Sequence, residues 1–290
     1  MMRRLLLCCL TLMLALSSCT SLRYAGVNRV RNYNISSSDI PESFDGYRIA
    51  FASDFHLKSK FKERQLHGTV KALQAAAPDM LLLGGDYQEG CEYVEPLFSE
   101  LSRIATPDGI YAVLGNNDYE QCTDLIRSEM QEQGINLLED ATTAIHRGND
   151  SIVLWGANAY AGLYPTAYLR NDILPNHLSK SCKQEQLLQS RLINPDDFVI
   201  LLTHTPDYVE DADISGVDLA LAGHTHGGQV TLFGLYAPIT ASKYGKRFRT
   251  GLRHNSQDIP VIISGGLGTS RHNIRFCAPT DIIVVTLQSK

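Results

Sequence analysis

Short apolar runs alternate with helical stripes through the first half of the chain. Residues 47–52 (YRIAFA) read as a buried strand, 80–83 (MLLL) as a second and 110–114 (IYAVL) as a third. Between them, Leu66, Val70, Leu73 and Ala77 fall at helical spacing over 62–77. Val94, Leu97, Phe98, Leu101 and Ile104 form another helical stripe, and 122–134 reads as a helix closed by Gly134. This β-α-β-α-β series predicts parallel strands with crossover helices. The second half is richer in strands, with candidates at 152–155, 198–203, 219–222, 229–233, 261–264 and 282–287. A polar, Pro-containing stretch over 162–183 reads as a loop or cap, and 184–192 as a short helix. There is no internal repeat, and one domain over 45–290 accounts for the pattern.

The amino terminus departs from this pattern. Arg3 and Arg4 precede a 12-residue apolar run, 5–16, which is too short for a transmembrane span of about 20 residues and fits a signal-peptide core. Leu16-Ser17-Ser18-Cys19 has the form of a bacterial lipobox, so residues 1–18 are expected to be a lipoprotein signal, Cys19 the lipidated residue and 19–44 a Ser-rich tether and first edge. A plain cleaved signal or an uncleaved anchor are the alternatives. All three place the rest of the chain outside the cytoplasm, lipid-anchored in the cell envelope on the first reading.

Composition adds limits. At 290 residues, 44% hydrophobic and 20% charged, the chain is neither disordered nor a small disulfide scaffold. Its net charge of −5 argues against a general nucleic-acid binder. Cys91, Cys122, Cys182 and Cys277 match no metal-binding spacing, which leaves either disulfides or buried thiols.

The chemistry lies at strand ends. Asp54-Phe55-His56, Gly84-Gly85-Asp86, Gly115-Asn116-Asn117-Asp118, Thr203-His204 and Gly223-His224-Thr225-His226-Gly227-Gly228-Gln229 each follow an apolar run. Ligands of open α/β sheets bind outside the carboxyl ends of strands, so the fold would gather these loops. Each motif alone is weak, and an isolated Asp-x-His is usually a turn. Together they supply imidazole, carboxylate and amide oxygen without thiolate, which suits Mn, Fe, Zn or Co. Seven donors are too many for one ion and enough for two divalent ions sharing a carboxylate, an arrangement that clamps in-line displacement at phosphorus.

These motifs resemble those of the calcineurin-like metallophosphoesterases, in particular a bacterial branch with the GHTHGGQ form and a C-terminal run, here Gly266-Leu267-Gly268 through Arg275-Phe276. The resemblance covers about residues 45–287. It implies an α/β four-layer sandwich of two mixed β-sheets flanked by helices. It also implies one metal on Asp54, His56, Asp86 and His226 and a second on Asp86, Asn116, His204 and His224. Asp86 would bridge, Asp118 would orient a ligand histidine, and Arg275 would bind phosphate oxygens. One departure matters. Where the family reads Gly-Asn-His-Asp/Glu, this chain has Asn117 in place of the histidine that contacts the scissile phosphate and helps to protonate the leaving group. An amide cannot act as a general acid, so Asn117 and Asp86, the catalytic candidates, point to phosphodiester or pyrophosphate substrates with acidic leaving groups. Related pyrophosphatases that cleave UDP-diacylglucosamine also replace this histidine, so a lipid or nucleotide-sugar substrate is a second reading. A broad phosphomonoesterase and a non-catalytic metal-binding lipoprotein are the others.

Overall fold

A computed structural model describes residues 26–58, 60–158, 193–194 and 196–290, the side chains of 60–62 excepted. The expected signal, Cys19, the cap over 162–183, the helix over 184–192 and Cys182 lie outside the described residues.

The strand runs form two six-stranded mixed sheets. In the first, β1 (Arg29–Ser37) pairs parallel with β12 (Asp281–Ser289), which runs antiparallel to β2 (Arg48–Ala52). Parallel pairing then continues to β3 (Met80–Leu83), β4 (Ile110–Ala112) and β5 (Asn136–Leu137). In the second, β7 (Asp150–Ala157), β8 (Val199–Thr203), β9 (Leu219–Ala222) and β11 (Pro260–Ile263) are parallel. Antiparallel edges β6 (Ala141–Arg147) and β10 (Gly251–His254) flank them.

Strand alternation assigns each side chain to a layer. Ile49 and Phe51, Met80 and Leu82, and Ile200 and Leu202 fill the space between the sheets. Ala50, Ala52, Leu81 and Leu83 face the other way, under the helices α1 (Lys60–Ala76), α2 (Val94–Leu101) and α4 (Thr123–Glu132). The expected stripes carry this contact: Leu66, Val70 and Leu73 from α1, Leu97, Phe98 and Leu101 from α2, and Ile126 and Met130 from α4. A short helix α3 (Asn116–Glu120) precedes α4. On the outer face of the second sheet, Val199, Leu201, Ala220 and Val261 pack under Tyr208 and Val209 of the one-turn helix α5 (Tyr208–Asp211) and under Phe248. The order is helix, sheet, sheet, helix, as the resemblance implies.

Two expectations change and one open question closes. Residues 29–37, inside the expected tether and first edge, are a nine-residue strand of the first sheet, because β12 offers its whole length as a parallel edge. Only Tyr33 and Ile35 of this edge strand pack on the core, so its sequence reads as polar. The expected strand over 229–233 does not form. Gln229 and Phe233 adopt φ of 51° and 54°, which breaks extended backbone, and the segment makes only isolated bridges to Phe276 and Tyr236. Of the cysteines, Cys91 and Cys122 form a disulfide, whereas Cys277 is a free, exposed thiol.

The disulfide spans a sequence separation of 31 that includes the Asn116 loop, and Cys91 lies shortly after Asp86. Chain-entropy arithmetic for a loop of this size gives about 3–4 kcal/mol. The Cys91→Ser/Cys122→Ser variant is expected to unfold in urea with stability lower by about that amount. Equal stability with and without the bond would contradict a tie between these two loops.

Candidate metal centre

Six of the seven expected donors come together, three from loops of the first sheet and three from loops of the second, and Asn116 opens the segment after β4. Asp54 and His56 follow β2, Asp86 follows β3 and Asn116 follows β4. His204 follows β8, and His224 and His226 follow β9. Asp54, His56 and His226 form one set of converging donors, and Asp86, His204 and His224 a second. His56 Nε2 lies 3.1 Å from His226 Nε2, and His204 Nε2 lies 3.1 Å from His224 Nδ1. Asp86 Oδ2 is 3.4 Å from both His56 Nε2 and His204 Nε2. One carboxylate oxygen therefore faces both sets.

Backbone conformation aims these side chains. Asp54, His56, Asp86, His224 and His226 all have positive φ, between 42° and 67°. Such left-handed residues cost of order 1–3 kcal/mol each when the side chain is not glycine, and they concentrate at functional sites. Two neighbouring glycines make the approach possible. A Cβ on Gly115 would run into Asp86 Oδ1, and one on Gly223 would run into Ser53 Oγ and the Asp54 carboxylate.

The donors are oriented from behind. His204 Nδ1 lies 2.6 Å from the Gly84 carbonyl and donates to it, so Nε2 is the nitrogen whose lone pair a cation would take. Asp54 accepts from the His224 N–H at 3.0 Å and from Ser53 Oγ at 2.6 Å. Asp86 Oδ1 accepts from the Asn117 N–H at 2.9 Å, which turns Oδ2 towards the two histidines. Asp118 does not orient a histidine as expected. Its carboxylate accepts the backbone N–H groups of Asp86, Tyr87 and Gly115 at 2.7, 2.9 and 2.8 Å, and so ties the β3 and β4 loops together. Arg275 does not face the phosphate position expected of it either. Its nitrogens donate to the carbonyls of Gly268, His226 and Ala278 and lie 3.1 Å from His226 Nδ1, so it buttresses the His226 loop and is not presented to phosphate. The Leu267 and Gly268 amides bond the Ser53 and Asp54 carbonyls, giving the rest of that run the same buttressing part. The Asn117 side-chain amide donates to the Gln88 carbonyl.

Glu89 escaped the sequence reading. Its carboxylate lies 2.8 Å from His56 Nδ1, on the far side of the ring from the donor cluster. A glutamate just past an ordinary turn carries no local signal, and only the fold sets it behind His56. Such carboxylates behind a histidine ligand tune its basicity, and their loss typically costs about 10–100-fold in metal affinity. Glu89→Gln is expected to weaken binding of the ion at the His56 set by about that factor, read by competition with a chelator. The ion at the His204 set should be held as before. Equal loss of both ions would contradict a role confined to His56.

The donor set fits divalent ions. Asn116 Oδ1 is buried with no hydrogen-bond partner among the described residues, a cost that a cation would remove. Burial lowers the pKa of His56 and His204, but Asp86 outweighs it and lifts them to about 9 and about 10. Burial and the charge of His204 push His224 down to about 4, and burial and His56 hold His226 well below its usual value. Burial raises Asp86, but His204 and His56 bring it well below the usual carboxylate range. The cluster thus draws positive charge to its centre, and bound cations would take the place of the protons on His56 and His204.

Buried imidazoles, carboxylates and an amide oxygen, gathered at the carboxyl ends of strands from two sheets around a shared carboxylate, are the donor set of a two-metal hydrolase. The calcineurin-like phosphoesterase family model matches residues 47–228, and the chain belongs to that family. It is a phosphoesterase, a hydrolase. An uncharacterized metallophosphoesterase, YkuE of Bacillus subtilis, is 28% identical over 89% of this chain and 84% of its own. Another uncharacterized metallophosphoesterase, from Aquifex aeolicus, is 26% identical over 90% and 92%. Among solved structures, a dimetal phosphatase from Danio rerio aligns at a TM-score of 0.48 and 9% identity, covering 77% of this chain and 88% of its own.

Proposed function

We propose that this phosphoesterase hydrolyses phosphodiester or pyrophosphate bonds in the cell envelope, with metal ligands Asp54, His56, Asp86, Asn116, His204, His224 and His226. The observation that carries the substrate class is Asn117. It stands beside the shared carboxylate, where the resembled family has its proton-donating histidine, and its amide is bonded to the Gln88 carbonyl. General acid catalysis is worth about 10²–10⁴-fold. A centre without it favours leaving groups that depart as weak bases, such as a phosphate or a phenolate.

When bound, two divalent ions would supply Lewis acidity towards a phosphoryl oxygen and a lowered pKa for the attacking water. The chain's own residues set the arrangement. Asp86 presents Oδ2 to both donor sets, Asp118 fixes the loops that carry Asp86 and Asn116, the Glu89 carboxylate lies behind the His56 ring, and the Gly84 carbonyl holds the ring of His204.

The envelope location rests on the basic amino terminus, the 12-residue apolar run and the Cys19 lipobox. The Cys91–Cys122 disulfide supports it, since such bonds persist in oxidising compartments. Among the described residues no helix is long and apolar enough to cross a membrane, and on this reading the membrane tie is a lipid on Cys19. Export argues against UDP-diacylglucosamine as the substrate, because that precursor is made on the cytoplasmic side.

The test is a manganese-loaded assay of bis(p-nitrophenyl) phosphate, an alkyl phosphomonoester, a nucleotide-sugar pyrophosphate and a UDP-lipid. Turnover of the diester and pyrophosphate with little of the alkyl monoester is the expected result. Preferential turnover of the alkyl monoester overturns the substrate class, and no turnover of any substrate with two metals bound overturns catalysis by this centre.

A further inference from the structure

Eight of the eleven large hydrophobic side chains exposed among the described residues lie in two loops, 230–239 and 274–276. Leu235 is 83% exposed, Ile239 77% and Phe233 65%. Scattered exposed hydrophobics are ordinary, but a group of this size marks an interaction surface. The two loops form one built unit. Thr231 N–H donates to the Phe276 carbonyl at 2.9 Å, Phe276 N–H to the Gln229 carbonyl at 3.0 Å, and Thr231 Oγ1 to the Cys277 carbonyl at 2.6 Å. Arg249 fixes the base of the first loop, donating to the carbonyls of Gly227 at 3.0 Å and Gly234 at 2.6 Å. The apolar tips are therefore held outward by the fold.

Basic residues outnumber acids along this stretch: residues 219–280 contain seven Lys and Arg and one acid, Asp258, in a chain of net charge −5. Lys243 and Arg247 are paired with Asp211 and Glu210. Lys246, Arg253 and Arg271 are exposed and have no carboxylate partner among the described residues. Lys246 Nζ sits 4.4 Å over the Tyr236 ring, at the edge of the apolar group. Exposed apolar tips with a basic rim are the pattern of an interfacial membrane contact, where apolar groups enter the headgroup–acyl boundary and cations meet anionic headgroups. Protein-interface cores are depleted in lysine, and a twofold self-contact would set two basic rims against each other.

We propose that loops 230–239 and 274–276 dock the protein onto an anionic phospholipid bilayer, with Phe233, Leu235 and Ile239 entering the boundary region and, at the lipid phosphates, Lys246 and also Arg271, whose neighbours Ser270 and His272 bond the Gln229 side chain. This contact is separate from any lipid on Cys19 and does not depend on the substrate proposed above. Its consequence is positional. Gln229 closes the turn that begins at His226, and Arg275, in the second loop, bonds the His226 backbone, so docking holds the donor cluster near the headgroup plane.

The test uses the full chain with Phe233→Trp, read against the background of the buried Trp155. Vesicles are phosphatidylcholine with about one-third phosphatidylglycerol, and their acyl chains are brominated. Emission from the indole introduced at position 233 is expected to shift to the blue and to be quenched. In the control Leu125→Trp, an exposed position on α4 outside the two loops, the new indole stays unquenched. Adding Lys246→Gln and Arg271→Gln is expected to raise the lipid needed for half-maximal quenching about fivefold per charge. Unchanged far-ultraviolet circular dichroism and an unchanged thermal unfolding midpoint show that the variants are folded, and Leu235→Trp serves as a second reporter. Solvent-like emission from both reporters while the chain sediments with vesicles overturns the proposal. So does a blue shift that appears without vesicles and grows with protein concentration, which would assign the face to a second copy of the chain.

Discussion

Asp86→Asn is expected to lower kcat/KM on bis(p-nitrophenyl) phosphate by about 10³-fold or more and to take the metal content from about two ions per chain towards one. The size follows from the position of one atom. Asp86 Oδ2 lies 3.4 Å from the Nε2 of both His56 and His204, so its loss weakens both halves of the centre at once. The substitution is chosen to leave the loop intact, because an asparagine Oδ1 can still accept the Asn117 N–H that Asp86 Oδ1 now accepts. Metal content by elemental analysis, alongside thermal unfolding, separates ligation from folding. Two retained ions and an unchanged rate would show that the carboxylate is not shared.

Asn117→His tests the leaving-group argument from the opposite side. Restoring an imidazole beside Asp86 is expected to raise kcat/KM on an alkyl phosphomonoester by about 10²-fold, the lower part of the range for general acid catalysis. The gain on bis(p-nitrophenyl) phosphate is expected to be less than about tenfold, since a phenolate departs without help. The gain stays at the lower end because the Asn117 amide points to the Gln88 carbonyl, and an imidazole at 117 must turn from that direction to face substrate. A variant with no gain on the monoester, and with both ions in place, would remove the physical basis for the substrate class.

The two substitutions also divide the site into what was readable and what was not. The donors were readable because each sits in a short motif directly after an apolar run, and strand ends converge in any parallel α/β layer. Their supports were not. Glu89, Asp118 and Arg275 act through the space between loops that are distant in the chain: Asp118 bonds Asp86 and Tyr87 from 32 and 31 positions away, and Arg275 bonds His226 from 49. An arginine in a glycine-rich run beside a phosphate site reads as a phosphate ligand, and only the carbonyls and ring nitrogen around its guanidinium show otherwise. The same limit hid the full extent of β1. Its polar residues alternate weakly because an edge strand buries little of either face, so its place depended on β12, at the opposite end of the sequence.

By itself the sequence determined the alternation of strands and helices, the face each of them buries, and the donor types. Hydrophobic period decides which face is buried, and that is a local property of the chain. It also determined the absence of a proton-donating side chain at position 117. Tertiary structure alone decided that Asp86 Oδ2 stands 3.4 Å from a histidine of each set, that Asn116 Oδ1 has no hydrogen-bond partner among the described residues, and that the run 229–233 turns its apolar side chains outward. Each of these depends on which loops meet, and the first and last also on left-handed backbone at Asp86, Gln229 and Phe233. Such a conformation costs about 1–3 kcal/mol, too little for local sequence to announce, and it persists because the packed surroundings hold it.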